Sequence, residues 1–169
     1  MVANYALTAA TVIKPFVDTF DYKPSTILSA DETYIKVKGK WHYIFFFFDS
    51  VKKIILSYRV RKHRDYQSAI LAINDVLVKL KEIPEKLNLI TDGNPIYLLA
   101  QQWFAQHGIH FDITQVIGLT NDDEVSKEFR PLKQIIERLN RTFKGNYKPT
   151  GGFGAEFGAI SSVVLFVAY

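Results

Sequence analysis

Hydrophobic and polar positions along this chain fall into blocks of two periods, preceded by a stretch with neither. Residues 1–26 are weakly patterned and interrupted by Pro15 and Pro24, which reads as a connecting arm or remnant without a core of its own. From Ile27 the texture changes. Ile27–Val37 mixes β-branched with polar residues, Lys38-Gly39 signals a turn, Lys40–Phe48 is rich in aromatics, and Lys53–Val60 is a third β-rich run. Three such runs joined by short turns predict an antiparallel meander. Phe45–Phe48 shows no polar alternation, so its strand is expected to be covered on both faces.

The period then becomes helical. Asp65 stands where an N-cap is needed, Ile70, Leu71, Ile73, Leu77 and Leu80 follow at helical spacing, and Pro84 closes the segment. Leu87–Thr91 is a short apolar strand ending at Asp92-Gly93. Pro95 suits the first turn of a helix carrying Ile96, Leu99, Trp103 and Phe104, and Gly108 ends it. Ile109–Ile117 predicts a fifth strand. After the polar loop Thr120–Glu124, a helix from about Ser126 to Tyr147 has Leu132, Ile135, Ile136, Leu139 and Phe143 as its apolar stripe. A glycine-rich loop and a last apolar helix complete the chain.

Three strands, helix, strand, helix, strand, helix is an α/β order. A meander followed by βαβ-type units predicts a mixed five-stranded sheet flanked by helices, the ribonuclease-H-like arrangement. Its 169 residues suit one core, placed at 27–169 behind the 1–26 arm. The absence of cysteine removes disulfides, thiolate zinc sites and cysteine nucleophiles. Lys and Arg number 21 against 17 acids, a mildly basic balance compatible with a polyanionic partner. Met1 to Thr11 lacks a basic segment ahead of apolar residues, so no secretory signal is expected. Tyr43–Phe48 and Phe157–Tyr169 are shorter than the roughly 18–20 residues of a membrane span, so no membrane partner is expected.

Three acids occupy positions from which they can converge. Asp31 lies inside a β-rich run, where aspartate is depleted. Strand alternation puts Asp31 and Glu32 on opposite faces, so only one of them is expected to face a shared site. Asp92 ends a strand just before a helix, where ligand sites gather in open α/β sheets, although a plain Asp-Gly turn has the same sequence. Glu137 shares a helix flank with Asn140, Arg141, Lys144 and Lys148. A carboxylate beside a basic row suits a metal ion next to a phosphate backbone, and a solvated helix face gives the same pattern. Carboxylates are the natural holders of the paired hard cations used in phosphoryl transfer.

Asp-Glu-Thr-Tyr-Ile-Lys-Val-Lys-Gly-Lys-Trp at 31–41 resembles the opening of the DDE-type transposase domain of bacterial insertion sequences, whose core is retroviral-integrase-like. The segment 43–50, Thr91-Asp92-Gly93, and Glu137-Arg138-Leu139-Asn140-Arg141-Thr142-Phe143-Lys144 fit the same pattern in the same order. The resemblance covers about Ile27 to Tyr169. It implies that Asp31, Asp92 and Glu137 are the catalytic, metal-binding triad, holding two magnesium or manganese ions. It implies phosphate contacts from Arg138, Asn140, Arg141, Lys144 and Lys148. It also implies DNA partners at the element ends and target, self-association, and a bacterial cytoplasmic, nucleoid-associated location. The expected chemistry is cleavage of a phosphodiester to free a 3′-hydroxyl, which then attacks target DNA in line.

Sixty residues separate Asp31 from Asp92 and 44 separate Asp92 from Glu137. The second gap is longer than in many relatives, so Glu124 and Glu128 are rival third ligands. Family members carry an N-terminal helix-turn-helix with no counterpart in 1–26 and continue beyond the position of Tyr169, so a core shortened at its C-terminus is expected. Two other readings stay open: a non-catalytic DNA-binding remnant, and a ribonuclease-H-like nuclease on hybrids or junctions. His107 and His110 straddle Gly108 at a helix end, which reads as structural rather than as a zinc site. Gly151, Gly152 and Gly154 lack the following Lys-Ser/Thr of a phosphate loop. Trp41 and Trp103 are expected to pack in the core.

Overall fold

The computed structural model describes residues 2–19, 25–49 and 51–116, together with positions 127, 131, 134, 137, 138, 141–144 and 163. The elements are α1 (Val2–Thr19), β1 (Ile27–Val37), β2 (Lys40–Asp49), β3 (Ile54–Arg61), α2 (Tyr66–Leu80), β4 (Asn88–Thr91), α3 (Pro95–Gln106) and β5 (Asp112–Gln115). They form one five-stranded sheet in the order β3-β2-β1-β4-β5. The first three strands are antiparallel neighbours, whereas β4 runs parallel to both β1 and β5. This is the mixed, helix-flanked sheet that the element order predicts.

The central meander is held by its aromatics. Phe45 to Phe48 are all buried, and strand alternation sends them to opposite faces. Phe45 and Phe47 join Leu28 and Ala30 of β1 beneath Ala69, Ala72, Ile73 and Val76 of α2 and Tyr97, Ala100 and Phe104 of α3. Phe46 and Phe48 join Ile35, Val37 and Ile44 on the other face, packed with Phe143 and Val163. Burying each phenylalanine contributes roughly 1.5–3 kcal/mol, so this strand anchors both layers.

Local chemistry sets the element ends. Asp65 caps α2 by accepting the Ser68 N–H, and Lys81, at φ 59°, stops that helix ahead of Pro84. Asn94 caps α3 by accepting the Ile96 N–H, with Pro95 at the first helical position. Gly39 at φ 74° follows Lys38 at φ 50° in the β1–β2 turn, a left-handed pair that glycine makes inexpensive. Asp49 is fully buried, and its carboxylate accepts from Ser25 Oγ at 2.8 Å and from the Val51 and Lys52 N–H groups at 3.0 Å each. That acid serves structure, because its oxygens are already satisfied at the strand end.

Several expectations are corrected. Residues 2–19 form a helix that passes through Pro15, which the sequence suggests as a breaker; proline removes one backbone donor but does not forbid the turn. The fifth strand is Asp112–Gln115, shorter than Ile109–Ile117. In α3 the buried positions are Tyr97, Ala100 and Phe104, while Leu99 is 47 % and Trp103 38 % exposed. Trp41 is 49 % exposed, so neither tryptophan is a core residue. Trp103 instead stacks on His107, whose Nδ1 lies 2.7 Å from the Trp103 carbonyl; this local tie agrees with the structural reading of that histidine. No described helix is long and apolar enough to cross a membrane.

Candidate metal centre

The parallel register of β1 and β4 aligns two of the expected acids. Ser29 lies opposite Ile90, so two residues further on Asp31 lies level with Asp92, just past the end of β4. Alternation along the parallel pair points both toward the face on which Phe143 packs. Asp31, in the middle of β1, therefore sits beside the carboxyl end of β4, where Asp92 precedes the helix start at Pro95.

Glu32 joins them. One carboxylate oxygen from each of Asp31, Glu32 and Asp92 lies within 4.8 Å of the other two. The expectation that only one of Asp31 and Glu32 faces the site is thus corrected. Their stems do point to opposite faces, with Asp31 paired to Phe46 and Glu32 to Phe45. But β4 ends at Thr91, so no paired strand separates the faces beside them, and the longer glutamate reaches the shared gap.

A small polar network holds the arrangement. The Glu32 N–H donates to Asp31 Oδ1 at 3.0 Å. The Asn94 N–H donates to Asp92 Oδ1 at 3.0 Å, and Asn94 Nδ2 donates to Glu32 Oε1 at 3.0 Å. Asn94 therefore caps α3, sets the turn after Asp92 and fixes Glu32 at once. Arg64 Nε donates to the same Glu32 oxygen at 2.9 Å, and its Nη2 stands 3.8 Å from Asp92 Oδ2. The Glu32 side chain is only 2 % exposed. Burial, with the Asp92 charge adding to it, raises its pKa above the ordinary carboxyl value, against the opposing pull of Arg64. Arg64 is partly buried, which works against its charge, yet Glu32 and Asp92 hold it more firmly protonated than usual. Tyr97 is fully buried beside Glu32, and that burial lifts its hydroxyl pKa well above the ordinary value.

The donor set fits a divalent cation. Among the described residues, three carboxylates share the gap with the Arg64 guanidinium. Glu32 Oε2 is buried with the Tyr97 hydroxyl beside it. Oxygen-only, carboxylate-rich ligation is what magnesium and manganese prefer.

The other expected site residues lie on later segments. Glu137 is helical and half-buried, and it is not among the three acids that share the 4.8 Å gap. Arg138 and Arg141 are helical and exposed, and Lys144 is half-buried with its Nζ 3.8 Å from the centre of the Tyr34 ring. Asn140, Lys148, Glu124, Glu128 and the glycines at 151, 152 and 154 lie outside the described residues. The sequence reading missed Arg64, Asn94 and Tyr97. Asn94 carried a local signal as the cap before Pro95, but nothing in a sequence shows that a residue 62 positions away bonds Glu32.

A family model described as a DDE domain matches residues 25–152. No curated protein sequence matches the chain. The HTLV-2 integrase catalytic core domain in complex with magnesium, in its trimeric form, superposes with a TM-score of 0.57 at 18 % identity, over 85 % of this chain and 84 % of that one. Its dimeric form gives 0.51 at 20 % identity, over 72 % and 68 %. A chain of the simian T-cell lymphotropic virus intasome, in complex with PP2A regulatory subunit B56 gamma, gives 0.56 at 17 % identity over 85 % of this chain. The present chain spans about half of that one, 48 %. At these identities the solved structures establish the fold alone, the ribonuclease-H-like arrangement of integrase catalytic cores. The chain belongs to the DDE domain family of transposases.

Proposed function

We propose that this chain is the catalytic core of a DNA transposase, formed by residues 27–169 behind an arm at 1–26, with Asp31, Asp92 and Glu137 as the metal-holding acids. The observation that carries the reading is the pairing of Asp31 with Asp92 at the end of β4, their carboxylates converging with Glu32 within 4.8 Å. One packing contact supports the inclusion of Glu137. Phe143, on the same late helical segment, stacks edge-to-face on Phe46 at 5.9 Å, and Phe46 is the strand partner of Asp31. Glu137 stands six residues before Phe143, and that closeness in the chain supports it as the third acid.

Bound magnesium or manganese, two ions by the family's chemistry, supplies charge stabilisation at the attacking and leaving oxygens of an in-line displacement. The HTLV-2 core domain in complex with magnesium supports that choice of ion. The chain's own residues do the positioning. Asp31 and Asp92 orient their carboxylates through the Glu32 and Asn94 N–H groups, and Arg64 and Asn94 hold Glu32 in place. In the first step water oxygen attacks phosphorus and the 3′-oxygen departs, taking a proton to become a hydroxyl. In the second, that hydroxyl attacks a target phosphodiester, a new P–O bond forms, and the target's 3′-oxygen leaves. No bond to the protein is made. Arg138, Asn140, Arg141, Lys144 and Lys148 serve as phosphate contacts. Joining two element ends calls for self-association, in line with the dimeric and trimeric forms of the HTLV-2 core.

The test is calorimetric titration of manganese into wild type and Asp92→Ala, paired with strand transfer on a labelled duplex. We expect Asp92→Ala to lose both while keeping the wild-type circular dichroism spectrum. Retained strand transfer in that variant sinks the assignment.

A further inference from the structure

The β1–β2 hairpin continues past the helices that cover its base. On one face its end is closed, with Ile35 and Val37 buried against Phe143 and Val163. On the other, Tyr34 and Trp41 emerge into solvent, 51 % and 49 % exposed, beside their cross-strand neighbours, the half-buried Tyr43 and the exposed Lys36. The two exposed rings pack edge-to-face at 5.2 Å. Lysine ammoniums rest over them, Lys36 Nζ 4.9 Å from the Trp41 ring centre and Lys144 Nζ 3.8 Å from that of Tyr34. Lys38 and Lys40 stand exposed at the turn, and residues 33–48 contain no acid. Tyr34 lies two residues from Glu32 on the same strand face, about 7 Å away.

We propose that this face, with Tyr34 and Trp41 at its centre and Lys36, Lys38, Lys40 and Lys144 around them, binds unpaired DNA nucleotides next to the acidic centre. Bases stack on the rings and phosphates pair with the lysines. The inference rests on the transposase reading and extends it to the state of the DNA at the site. A duplex offers phosphates and groove edges, while its base faces are already stacked, so exposed rings gain nothing from it. Unpaired bases present those faces. The lysines parked on the rings are no obstacle. An exposed cation–π interaction is worth a factor of about 2–5 in equilibrium, whereas one stacked base is worth about 5- to 100-fold. A displaced ammonium also gains a phosphate.

The test uses the 169-residue chain carrying Trp103→Phe, which leaves Trp41 as its single tryptophan. A short oligothymidylate is titrated without divalent cations while Trp41 fluorescence is followed, and a duplex of equal length is titrated by anisotropy. We expect quenching, and tighter binding of the single strand. Tyr34→Ala, and Trp41→Ala read by anisotropy, each weaken oligothymidylate by about 5- to 100-fold and leave the duplex nearly unchanged. Trp41→Phe retains most of the affinity, which separates stacking from a folding defect. Lys36→Gln with Lys40→Gln weakens both ligands. No quenching, or equal affinity of wild type and Trp41→Ala for the single strand, overturns the platform. Manganese titration of the same preparations separates the two readings. Metal binding without stacking keeps the metal centre and removes the platform. Stacking without metal binding keeps the platform and removes the metal centre.

Discussion

Glu32 is a buried carboxylate set beside two others. At separations near 4.8 Å, each charged pair repels by roughly 3 kcal/mol at an effective dielectric of about 20. Arg64 offsets part of this, but it is 44 % exposed and divides its guanidinium between Glu32 and Asp92. Glu32→Gln therefore should raise the melting temperature of the metal-free chain while weakening manganese binding. Thermal unfolding with and without manganese checks this; a variant that melts lower in both states would show that the Arg64 and Asn94 bonds outweigh the repulsion. Asp65 is shifted the other way from Glu32. Its hydrogen bonds to Ser68 lower its pKa below the ordinary 3.8, so the folded state prefers the ionised cap. That contribution is present above the unfolded value and is lost as pH falls through the folded one. Asp65→Ala should cost about 1 kcal/mol at neutral pH, whereas Asp65→Asn keeps a neutral cap and should lose this acid-limb dependence, both read by urea unfolding.

Elements, rather than single residues, decide whether the acids meet. β1 carries Asp31 and β4 delivers Asp92, and their parallel register sets the two side by side. The late helical segment is joined to this end of the sheet through Phe143 on Phe46. Phe143 is 2 % exposed, so Phe143→Ala should cost about 3–5 kcal/mol. Because the same segment carries Glu137, the variant should also bind manganese more weakly, although no acid is removed. Calorimetry on the folded variant checks this, and unchanged affinity would argue that Glu137 is not a ligand.

For the whole molecule, charge is distributed against the fold's acidic centre. The chain has a net charge of +4, with acids gathered at the β4 end and lysines on the hairpin face beside it. DNA binding without metal should therefore fall steeply with salt. Neutralising Arg138, Arg141, Lys144 and Lys148 together should flatten the log–log slope by about 0.9 for each phosphate that is no longer paired with a cation. Asp92→Ala should bind duplex at least as tightly as wild type, since it removes a negative charge from the path of the backbone. Salt titrations on one duplex compare all three proteins.

The strand and helix texture from Ile27 onward was legible because both periods are local: alternation in the β runs, helical spacing from Ile70 to Leu80, and turn chemistry at Lys38-Gly39 and Asp92-Gly93. Phe45–Phe48 announced a strand buried on both faces for the same reason, as no polar position interrupts it. Asp31 and Asp92 stood out as acids at strand positions, and the family pattern named them. Tertiary structure alone decided the rest. Alternation correctly separated the stems of Asp31 and Glu32, but it could not foresee that β4 ends at Thr91 and lets Glu32 reach the same gap. Nor could composition place Trp41 outside the core, since its exposure depends on how far the hairpin outruns α2 and α3. Local periodicity reports which face of an element is apolar; how long its neighbours are, and where they stop, is settled only when the elements pack.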